Sequence, residues 1–426
     1  MKKILYLFSL AVFTLTGCQD RVTEMVTYKI NEPVFMSTET FRNSVKISTE
    51  PHKITSIGKM CFYNDYLYIS EPEKGIHIID NRDPANPQII GFIELMGNAD
   101  LAIRNGLLYA DSYVDLVWLD ISNPAQPELK GRLDTIFTTA LPTTDNQYGI
   151  DYAKCYGEKN SGVVVGWELK EKTEEVSHYT GGWLYGWMKG DVLVVAPNTT
   201  TIAGNNSTGI NGSMSRFTIY NDHLYSVINN YMNIFDLSTA KPTKAAGDMY
   251  MGWNIETIFS YKDNMFMGTP TGMLIYSVKD PLKPVYASSV QHVFGCDPVV
   301  VDNDLAYVTV HSEANRCGQI ANELMIVDVS DVYKPKPLAT YTMTSPKGLG
   351  IDAGKLFVCD DGLKIYNIGD PQTIMANNIA HFKDMNGFDV IAHNNTVMMI
   401  AADGIYQYDY SNASSIKYLS RIPIAE

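Results

Sequence analysis

Short apolar strands alternate with polar turns along most of this chain, and the pattern repeats. Seven times a strand rich in Val, Ile, Leu and Tyr ends near an acidic residue and enters a turn, at 75–87, 116–127, 232–242, 273–284, 324–335, 363–371 and 405–413. The anchor positions are Asp80, Asp120, Asp236, Ser277, Asp328, Asn367 and Asp409. Most successive anchors lie about 40 residues apart, a period that suits one four-stranded propeller blade.

Strand chemistry favours β-blades over two-helix repeats of similar length. Each copy alternates apolar and polar residues with period two, and Asn, Asp, Gly or Pro separates the strands. Because Asn, Asp and Gly tolerate positive φ, two-residue hairpin turns are predicted at 64–65, 105–106, 221–222, 263–264, 303–304 and 394–395. The sequence therefore predicts an all-β fold, a seven-bladed β-propeller of four-stranded antiparallel blades, with six or eight blades as the alternatives.

The propeller is predicted over residues 51–424, with an insertion at about 139–213 after the second blade. The interval between the second and third anchors is 116 residues, and its extra segment lacks the anchor motif. We interpret that segment as an excursion from the ring because its middle is aromatic and its end is loop-like. A degenerate eighth blade is the alternative. The stretch SVKIS (44–48) is expected either to pair with the outer edge of the last blade or to cover another edge.

Residues 1–17 have the features of a lipoprotein signal peptide. Lys2 and Lys3 precede an apolar stretch over 4–16, and the residues LTG (15–17) lead directly into Cys18. The apolar run is too short to span a bilayer stably. We expect cleavage before Cys18, acylation of that residue with palmitate among the chains, and a lipidated tether and pre-propeller segment over 18–50. The predicted location is the outer membrane, lipid-anchored and either periplasmic or surface-exposed.

The anchor strand, most plainly LMIVDVSD at 324–331, resembles the LVIVD repeat of bacterial and archaeal surface β-propeller proteins. Together with the leader, the chain resembles the LVIVD-repeat lipoproteins of the Bacteroidota over roughly residues 50–424, apart from the insertion. The resemblance implies a propeller at the cell envelope and supplies no catalytic residue set. The chain departs from the repeat at Ser277 and Asn367, which stand at the anchor Asp position.

The net charge disfavours some classes of binding partner, and the positions of the cysteines predict a disulfide. The formal net charge is −14, and no basic stripe is present to neutralise phosphate, which disfavours nucleic acid and anionic lipid surfaces. A Cys296–Cys317 disulfide is predicted because both residues fall on one face of the fifth blade and the leader implies an oxidising compartment. Two free thiols are the alternative. Cys61 and Cys359 lie in apolar strands and are expected to be small buried residues.

No catalytic, cofactor or metal motif is recognisable in the sequence, so none is predicted. The first candidate ligand site is the mouth of the central channel, where the segments entering the first strands carry Asp100, Trp253, Asn254, Glu256, Asp297 and Asp389. Glycines beside them let backbones crowd near the axis, so we expect these side chains to converge and bind a ligand. The alternative is that they cap strand ends and hold channel water.

The second candidate is an aromatic stripe in the insertion, formed by Trp183, Tyr185 and Trp187. Alternate residues lie on one face of a strand, so the three rings would build a flat platform suited to sugar rings. The alternative is that the stripe packs the insertion onto the rim of the propeller.

The function predicted from these features is a non-catalytic binding scaffold for a glycan or an envelope protein, held to a membrane by its lipid anchor. The alternative is a polysaccharide-acting enzyme, a lyase or a hydrolase, with carboxylates at the channel mouth. The enzyme requires those carboxylates to surround an open pocket. Buried carboxylates argue against it.

Overall fold

The computed structural model describes residues 21–144, 147–157, 162–179, 208–252, 254–292, 298–311 and 321–425. The chain divides into two compact units, one formed by residues 1–36 and 143–196 and the other by residues 37–142 and 197–426. Several residues named by the sequence predictions lie outside the described ranges, and the predictions about them stay predictions: Cys18, Trp183, Tyr185, Trp187, Trp253, Cys296, Asp297 and Cys317.

The described elements are given in chain order. Before the first sheet come β1 (Arg21–Ser37), α1 (Thr38–Arg42) and β2 (Lys46–Ser48). The first and second sheets comprise β3 (Met60–Tyr63), β4 (Tyr66–Glu71), β5 (Gly75–Asp80), β6 (Gln88–Glu94), β7 (Leu101–Arg104), β8 (Leu107–Ser112), β9 (Asp115–Asp120) and β10 (Glu128–Leu133). The insertion holds β11 (Gly149–Ile150), α2 (Tyr152–Cys155), β12 (Gly162–Tyr179) and β13 (Ile210–Asn211).

The remaining elements form the third to seventh sheets. The third and fourth comprise β14 (Phe217–Tyr220), β15 (His223–Ile228), β16 (Tyr231–Asp236), β17 (Thr243–Lys244), β18 (Met249–Tyr250), β19 (Thr257–Tyr261), β20 (Asn264–Thr269), β21 (Gly272–Ser277) and β22 (Val285–Gln291). The fifth comprises β23 (Val299–Asp302), β24 (Leu305–His311), β25 (Asn322–Asp328) and β26 (Lys336–Thr342). The last two comprise β27 (Leu349–Asp352), β28 (Lys355–Cys359), β29 (Leu363–Asn367), a 3₁₀ helix (Ile374–Asn377), β30 (Asn378–Phe382), β31 (Gly387–His393), β32 (Thr396–Ala401), β33 (Gly404–Asp409) and β34 (Lys417–Pro423).

Each of these sheets in the larger unit is an antiparallel meander in which strands pair in chain order. The third strand of every meander ends at one of the predicted anchors, from Asp80 in β5 to Asp409 in β33. The all-β prediction and the four-stranded antiparallel organisation are therefore confirmed. In the described part of the chain the helices are single turns, because no apolar stripe of helical period interrupts the strands.

The first strands of successive sheets contact one another, so these strands line the axis around which the sheets are arranged. Neighbouring sheets bury their apolar faces in shared clusters, and the last sheet packs on the first through Ile391 and Met398 against Leu67. A reciprocal amide pair lies buried in the same seam. Asn81 Nδ2 donates to Gln407 Oε1 (3.0 Å) and Gln407 Nε2 donates to Asn81 Oδ1 (2.7 Å). The sheets thus close into a ring.

The ring has two faces. The hairpin face carries the turns between first and second strands, and the opposite loop face carries the loops between second and third strands together with the connections from sheet to sheet.

One predicted hairpin turn is wrong by one residue. The fourth sheet turns at Lys262 and Asp263, with φ of 41° and 33°, and Asn264 already begins β20. The register of the strand pair places Tyr261 opposite Asn264, which leaves these two residues in the turn.

The segments before the ring differ from a simple tether. In the smaller unit, β1 is the central strand of a three-stranded sheet between β11 and β12, and it pairs with β11 in parallel. The segment expected to hold the tether and the pre-propeller residues (18–50) thus contains a long strand from Arg21 onwards, which the β-branched residues of this stretch favour. The described part of the insertion contains no four-stranded meander. β2 pairs with β6 and covers the outer edge of the first sheet. Among the described helices, none is both long and apolar enough to cross a bilayer.

Candidate functional site

Residues 208–216 lie on the axis side of the innermost strands, and we call them the channel segment. β13 adds to the free edge of β3 as an antiparallel strand, with Ile210 opposite Phe62 and Asn211 opposite Cys61. Gly209 N donates to Ile103 O (2.7 Å) in the second sheet. Because β3 is the innermost strand of its sheet, a strand on its free edge occupies the central channel.

Asp389 anchors the channel segment from the seventh sheet. Its side chain is buried, and its Oδ1 accepts hydrogen bonds from Ser213 N (2.7 Å), Ser213 Oγ (2.8 Å) and Val390 N (2.9 Å). Ser213 Oγ accepts in turn from Leu349 N (2.6 Å) of the sixth sheet. One serine of the segment therefore connects two sheets.

Asp100 anchors the segment from the second sheet. Its Oδ1 accepts from Ser215 Oγ (2.5 Å) and from Leu101 N (2.8 Å), and its Oδ2 accepts from Arg216 N (2.6 Å). Ser215 O accepts from Ile258 N (3.0 Å) of the fourth sheet. Together with the contacts above, the channel segment is bonded to the first, second, fourth, sixth and seventh sheets.

A third carboxylate, Asp111, and a lysine, Lys59, are also buried. Asp111 Oδ1 accepts from the backbone N–H groups of Ala99 (2.7 Å) and Asp100 (2.9 Å), and burial raises the pKa of Asp111 to about 6. Lys59 Nζ donates to Met214 O (3.1 Å), and burial lowers the pKa of Lys59 well below its usual range despite the nearby Asp100 and Asp389 charges. Desolvation is the largest cause of both shifts.

The protonation of Asp389 predicts a pH-dependent stability. Burial raises the pKa of this carboxyl from 3.8 to about 7, although the bonds from Ser213 oppose the shift. The folded state therefore holds the proton more tightly than the unfolded chain does. The stabilisation from the protonated carboxyl is fully present below pH 4 and is lost as the pH rises through 7. Asp389→Asn keeps a neutral acceptor at every pH. We expect the free energy of unfolding of the variant, relative to that of the wild type, to increase by roughly 2–4 kcal/mol from pH 4 to pH 8. Urea denaturation at the two pH values measures this difference.

Asp65→Asn, on an exposed hairpin turn, is the matched control for that experiment. It is expected to leave the difference between the two pH values unchanged. Parallel stability curves for the wild type and Asp389→Asn would contradict the assignment of the pH dependence to this carboxyl.

The predicted channel-mouth carboxylates that the structure describes are buried. Asp100, Glu256 and Asp389 are exposed by only 1 %, 5 % and 3 %, and two of the three are bonded to the channel segment. Asn254 is partly buried, and its Nδ2 is buried without a hydrogen-bond partner among the described residues. The structure therefore brings Asp100 and Asp389 to the same segment of chain, and their oxygens accept protein hydrogen bonds.

The channel segment was missed as a structural element by the sequence interpretation, which treated 198–213 as loop-like. The signal lies in TGINGSMSR (208–216), where two glycines, Gly209 and Gly212, stand among Thr, Asn and Ser residues. A Cβ at Gly209 would lie 2.4 Å from Cys61 Sγ, and one at Gly212 would lie 2.0 Å from Asp389 Oδ2. Glycine is required at both positions because the backbone passes so close to the channel wall. Cys61 and Cys359 are buried free thiols, as predicted.

The profile of the LVIVD repeat matches residues 60–93, 98–135 and 318–342. The first two matches cover the first two sheets, and the third covers the second half of the fifth sheet. LVIVD repeats are thus present in this chain, and each match includes an anchor strand: β5, β9 and β25.

Solved β-propeller structures are similar to this chain at low sequence identity. Hsv2 of Kluyveromyces lactis is 9 % identical, with a TM-score of 0.47 over 87 % of this chain and 100 % of that one. PorZ, described as an essential surface component of the type-IX secretion system of Porphyromonas gingivalis, is 9 % identical, with a TM-score of 0.46 over 90 % of this chain and 40 % of PorZ. BamB from Moraxella catarrhalis is 8 % identical, with a TM-score of 0.42 and 88 % of each chain covered. A comparison with curated proteins gave no match.

Proposed function

We propose that this chain is a cell-envelope lipoprotein whose seven-bladed β-propeller is a non-catalytic binding scaffold for a glycan or an envelope protein. The observation that carries the proposal is the occupied channel. Asp100 and Asp389, the carboxylates that an enzyme would direct at substrate, accept hydrogen bonds from the channel segment instead. These hydrogen bonds hold the sheets together inside the ring, so the loops and turns on its two faces are the surfaces available to a partner.

The proposed number of blades is supported by the sheets. Each four-stranded meander is interpreted as one blade, from β3–β6 to β31–β34, and the packing of the last meander on the first supports a ring of seven. The parallel pairing of β11 with β1 favours an excursion over an eighth blade for the insertion, because every blade pairs its strands antiparallel.

The enzyme alternative draws less support. A glycoside hydrolase needs two carboxyl groups about 5–10 Å apart with access to substrate. Asp100, Glu256 and Asp389 are all nearly inaccessible, and Asp100 and Asp389 would meet a sugar only after the channel segment had left.

The lipid anchor is tested through Cys18. Cys18→Ala removes the thiol that signal peptidase and acyl transferases require, so we expect palmitate labelling to be lost and the protein to move from the membrane to the soluble fraction. Cys155→Ala, which removes a buried thiol of the insertion, is the matched control and is expected to keep label and membrane association. A Cys18→Ala protein that still carries label would contradict the assignment.

The binding function is tested with the mature protein lacking Cys18, on a glycan array and in a pull-down from envelope extracts. Trp183→Ala and Trp187→Ala are expected to weaken glycan binding by about tenfold with an unchanged melting temperature, because each removes one stacking ring. A large drop in melting temperature with unchanged binding would instead support packing of the insertion. No glycan binding on the array and no specific partner in the pull-down would together overturn the scaffold proposal.

A further inference from the structure

A cavity of about 190 Å³ lies on the hairpin face between the fourth and fifth sheets. Its lining includes hydroxyl, amide, ammonium and carboxylate groups and aromatic rings. These belong to Tyr261, Lys262, Asn264, Lys279, Asp304 and Tyr333. Its volume is below the ~300–1,000 Å³ of pockets that enclose drug-sized ligands, so it suits a single small ring or side chain. The channel and the insertion contribute nothing to it.

A comparison of neighbouring seams shows what is unusual here. Between the third and fourth sheets, Tyr220 OH accepts from Asp263 N (2.8 Å) and donates to Asp263 Oδ1 (2.9 Å), so its single O–H donor is used. Between the fourth and fifth sheets, Tyr261 OH likewise accepts from Asp304 N (3.2 Å). The Asp304 carboxylate, however, is held by Lys262.

Lys262 Nζ donates to Asp304 Oδ1 (2.6 Å) and takes the acceptor that the corresponding tyrosine uses in the preceding seam. The Tyr261 hydroxyl also interacts with the Lys262 ammonium, and among the described residues it donates to no acceptor. An O–H donor at the wall of a cavity is a binding group for an oxygen of a ligand.

Lys262 also adopts a backbone conformation that suits lysine poorly. Its φ is 41°, in the left-handed region, whereas the equivalent turn position in five other sheets holds asparagine, which tolerates that conformation: Asn64, Asn105, Asn221, Asn303 and Asn394. The sixth sheet has Ala353 at this position with φ of 47°, so residues other than asparagine are accepted there. What distinguishes Lys262 is that its side chain lines the cavity.

Asn264 adds an unused acceptor. Its Nδ2 donates to Lys262 O (3.1 Å), which fixes the orientation of the amide, and its Oδ1 is buried without a hydrogen-bond partner. Because a buried acceptor without a donor is costly, a movement of this amide towards a hydroxyl or amino group in the cavity would be favourable.

The charge and shape of the lining specify the ligand further. Lys279 is exposed and makes no ion pair with the described residues, so the two ammonium groups outnumber the single carboxylate of Asp304. In a chain with a net charge of −14, such a local excess of positive charge favours an anion. The ring of Tyr333 is 57 % exposed and offers a flat face to C–H groups.

We propose that this cavity binds one acidic sugar residue of the uronate type. The carboxylate of the sugar pairs with Lys279 and accepts from Tyr261 OH, a hydroxyl donates to Asn264 Oδ1, and the C–H face of the ring stacks on Tyr333. The proposal rests on the glycan-binding function proposed above and adds the site and the chemical class of the sugar.

The test uses glucuronate and galacturonate as probes and glucose as the neutral control, with binding measured by saturation-transfer NMR and calorimetry. Lys279→Gln and Tyr333→Ala are expected to weaken uronate binding by about tenfold or more, since a charge-assisted bond or a stacking face is lost. Lys283→Gln and Tyr418→Ala remove an exposed lysine of the same sheet and an exposed tyrosine of the seventh sheet. Both are expected to bind as the wild type does.

Lys262→Asn separates binding from folding. The substitution supplies the residue that five other hairpins use and frees Asp304 for Tyr261, so the melting temperature is expected to rise while uronate affinity falls by about tenfold. Wild-type affinity in this variant, or in both Lys279→Gln and Tyr333→Ala, would overturn the site. Glycan-array binding without uronate binding would overturn the site and leave the scaffold function standing. Failure of array, pull-down and uronate binding together would overturn both.

Discussion

Replacing Asp115 with Ala is expected to lower the free energy of unfolding by about 3–5 kcal/mol, because it leaves a buried cation without its partner. The Asp115 side chain is fully buried and accepts from Arg42 Nε (2.9 Å), Arg132 Nη1 (3.0 Å) and Thr135 N (2.6 Å). Arg132 is also largely buried, and burial lowers its pKa. Its guanidinium carbon lies 5.4 Å from the ring centre of Phe41, so it cannot reach water without disturbing that packing.

Asp134→Ala is the matched control for Asp115→Ala. Asp134 also pairs with Arg42 (2.9 Å), but its side chain is 57 % exposed, so its loss is expected to cost no more than about 1 kcal/mol. Urea denaturation of both variants measures the difference. A cost for Asp115→Ala as small as that for Asp134→Ala would contradict the role assigned to the buried carboxylate.

Gly212→Val is expected to displace the channel segment and to lower the free energy of unfolding by about 3 kcal/mol. Even a single Cβ at this position would lie 2.0 Å from Asp389 Oδ2, and the neighbouring chain cannot yield because Ser213 is bonded to the same carboxylate. Overpacking alone typically costs about 1–3 kcal/mol, and the lost bonds to Asp389 add to that.

Two measurements report on the displaced segment. Urea denaturation gives the loss of stability, and limited trypsin digestion gives the accessibility of the bond after Arg216, whose N–H is held by Asp100 in the wild type. Gly247→Val is the matched control because nothing lies within 4 Å of a Cβ built there. If Gly212→Val were as stable and as resistant to trypsin as Gly247→Val, the steric role of Gly212 would be refuted.

Much of the fold could be predicted from the chain because the blade is a local structure. The third strand of each copy ends at its anchor, from Asp80 to Asp409, since period-two alternation and turn residues determine a meander within 40 residues. The misplaced turn at Asp263 and Asn264 shows the limit of this reasoning. Residue type favoured Asn in the turn, whereas the pairing of Tyr261 with Asn264 put Lys262 there.

The interior of the ring could not be predicted in the same way. The bonds of Asp389 to Ser213 and of Asp100 to Ser215 join positions more than 100 residues apart, and no local pattern encodes such a pair. The sequence did indicate that Asp100 and Asp389 approach the same axis. It did not indicate that the chain itself would fill the space between them, since a glycine-rich stretch is equally typical of a surface loop.

The bonds of the channel segment also determine how the ring comes apart. Repeat arrays whose units touch only their neighbours can lose units one at a time from an end. Here the nine residues of the channel segment are bonded to five sheets, from the first to the seventh, so losing any one of those five also weakens the attachment of the others. We therefore expect the ring to melt as one cooperative unit. A chain that ends before Asp389 is expected to hold the channel segment less firmly, although its earlier sheets are complete, because the bonds between Asp389 and Ser213 are missing.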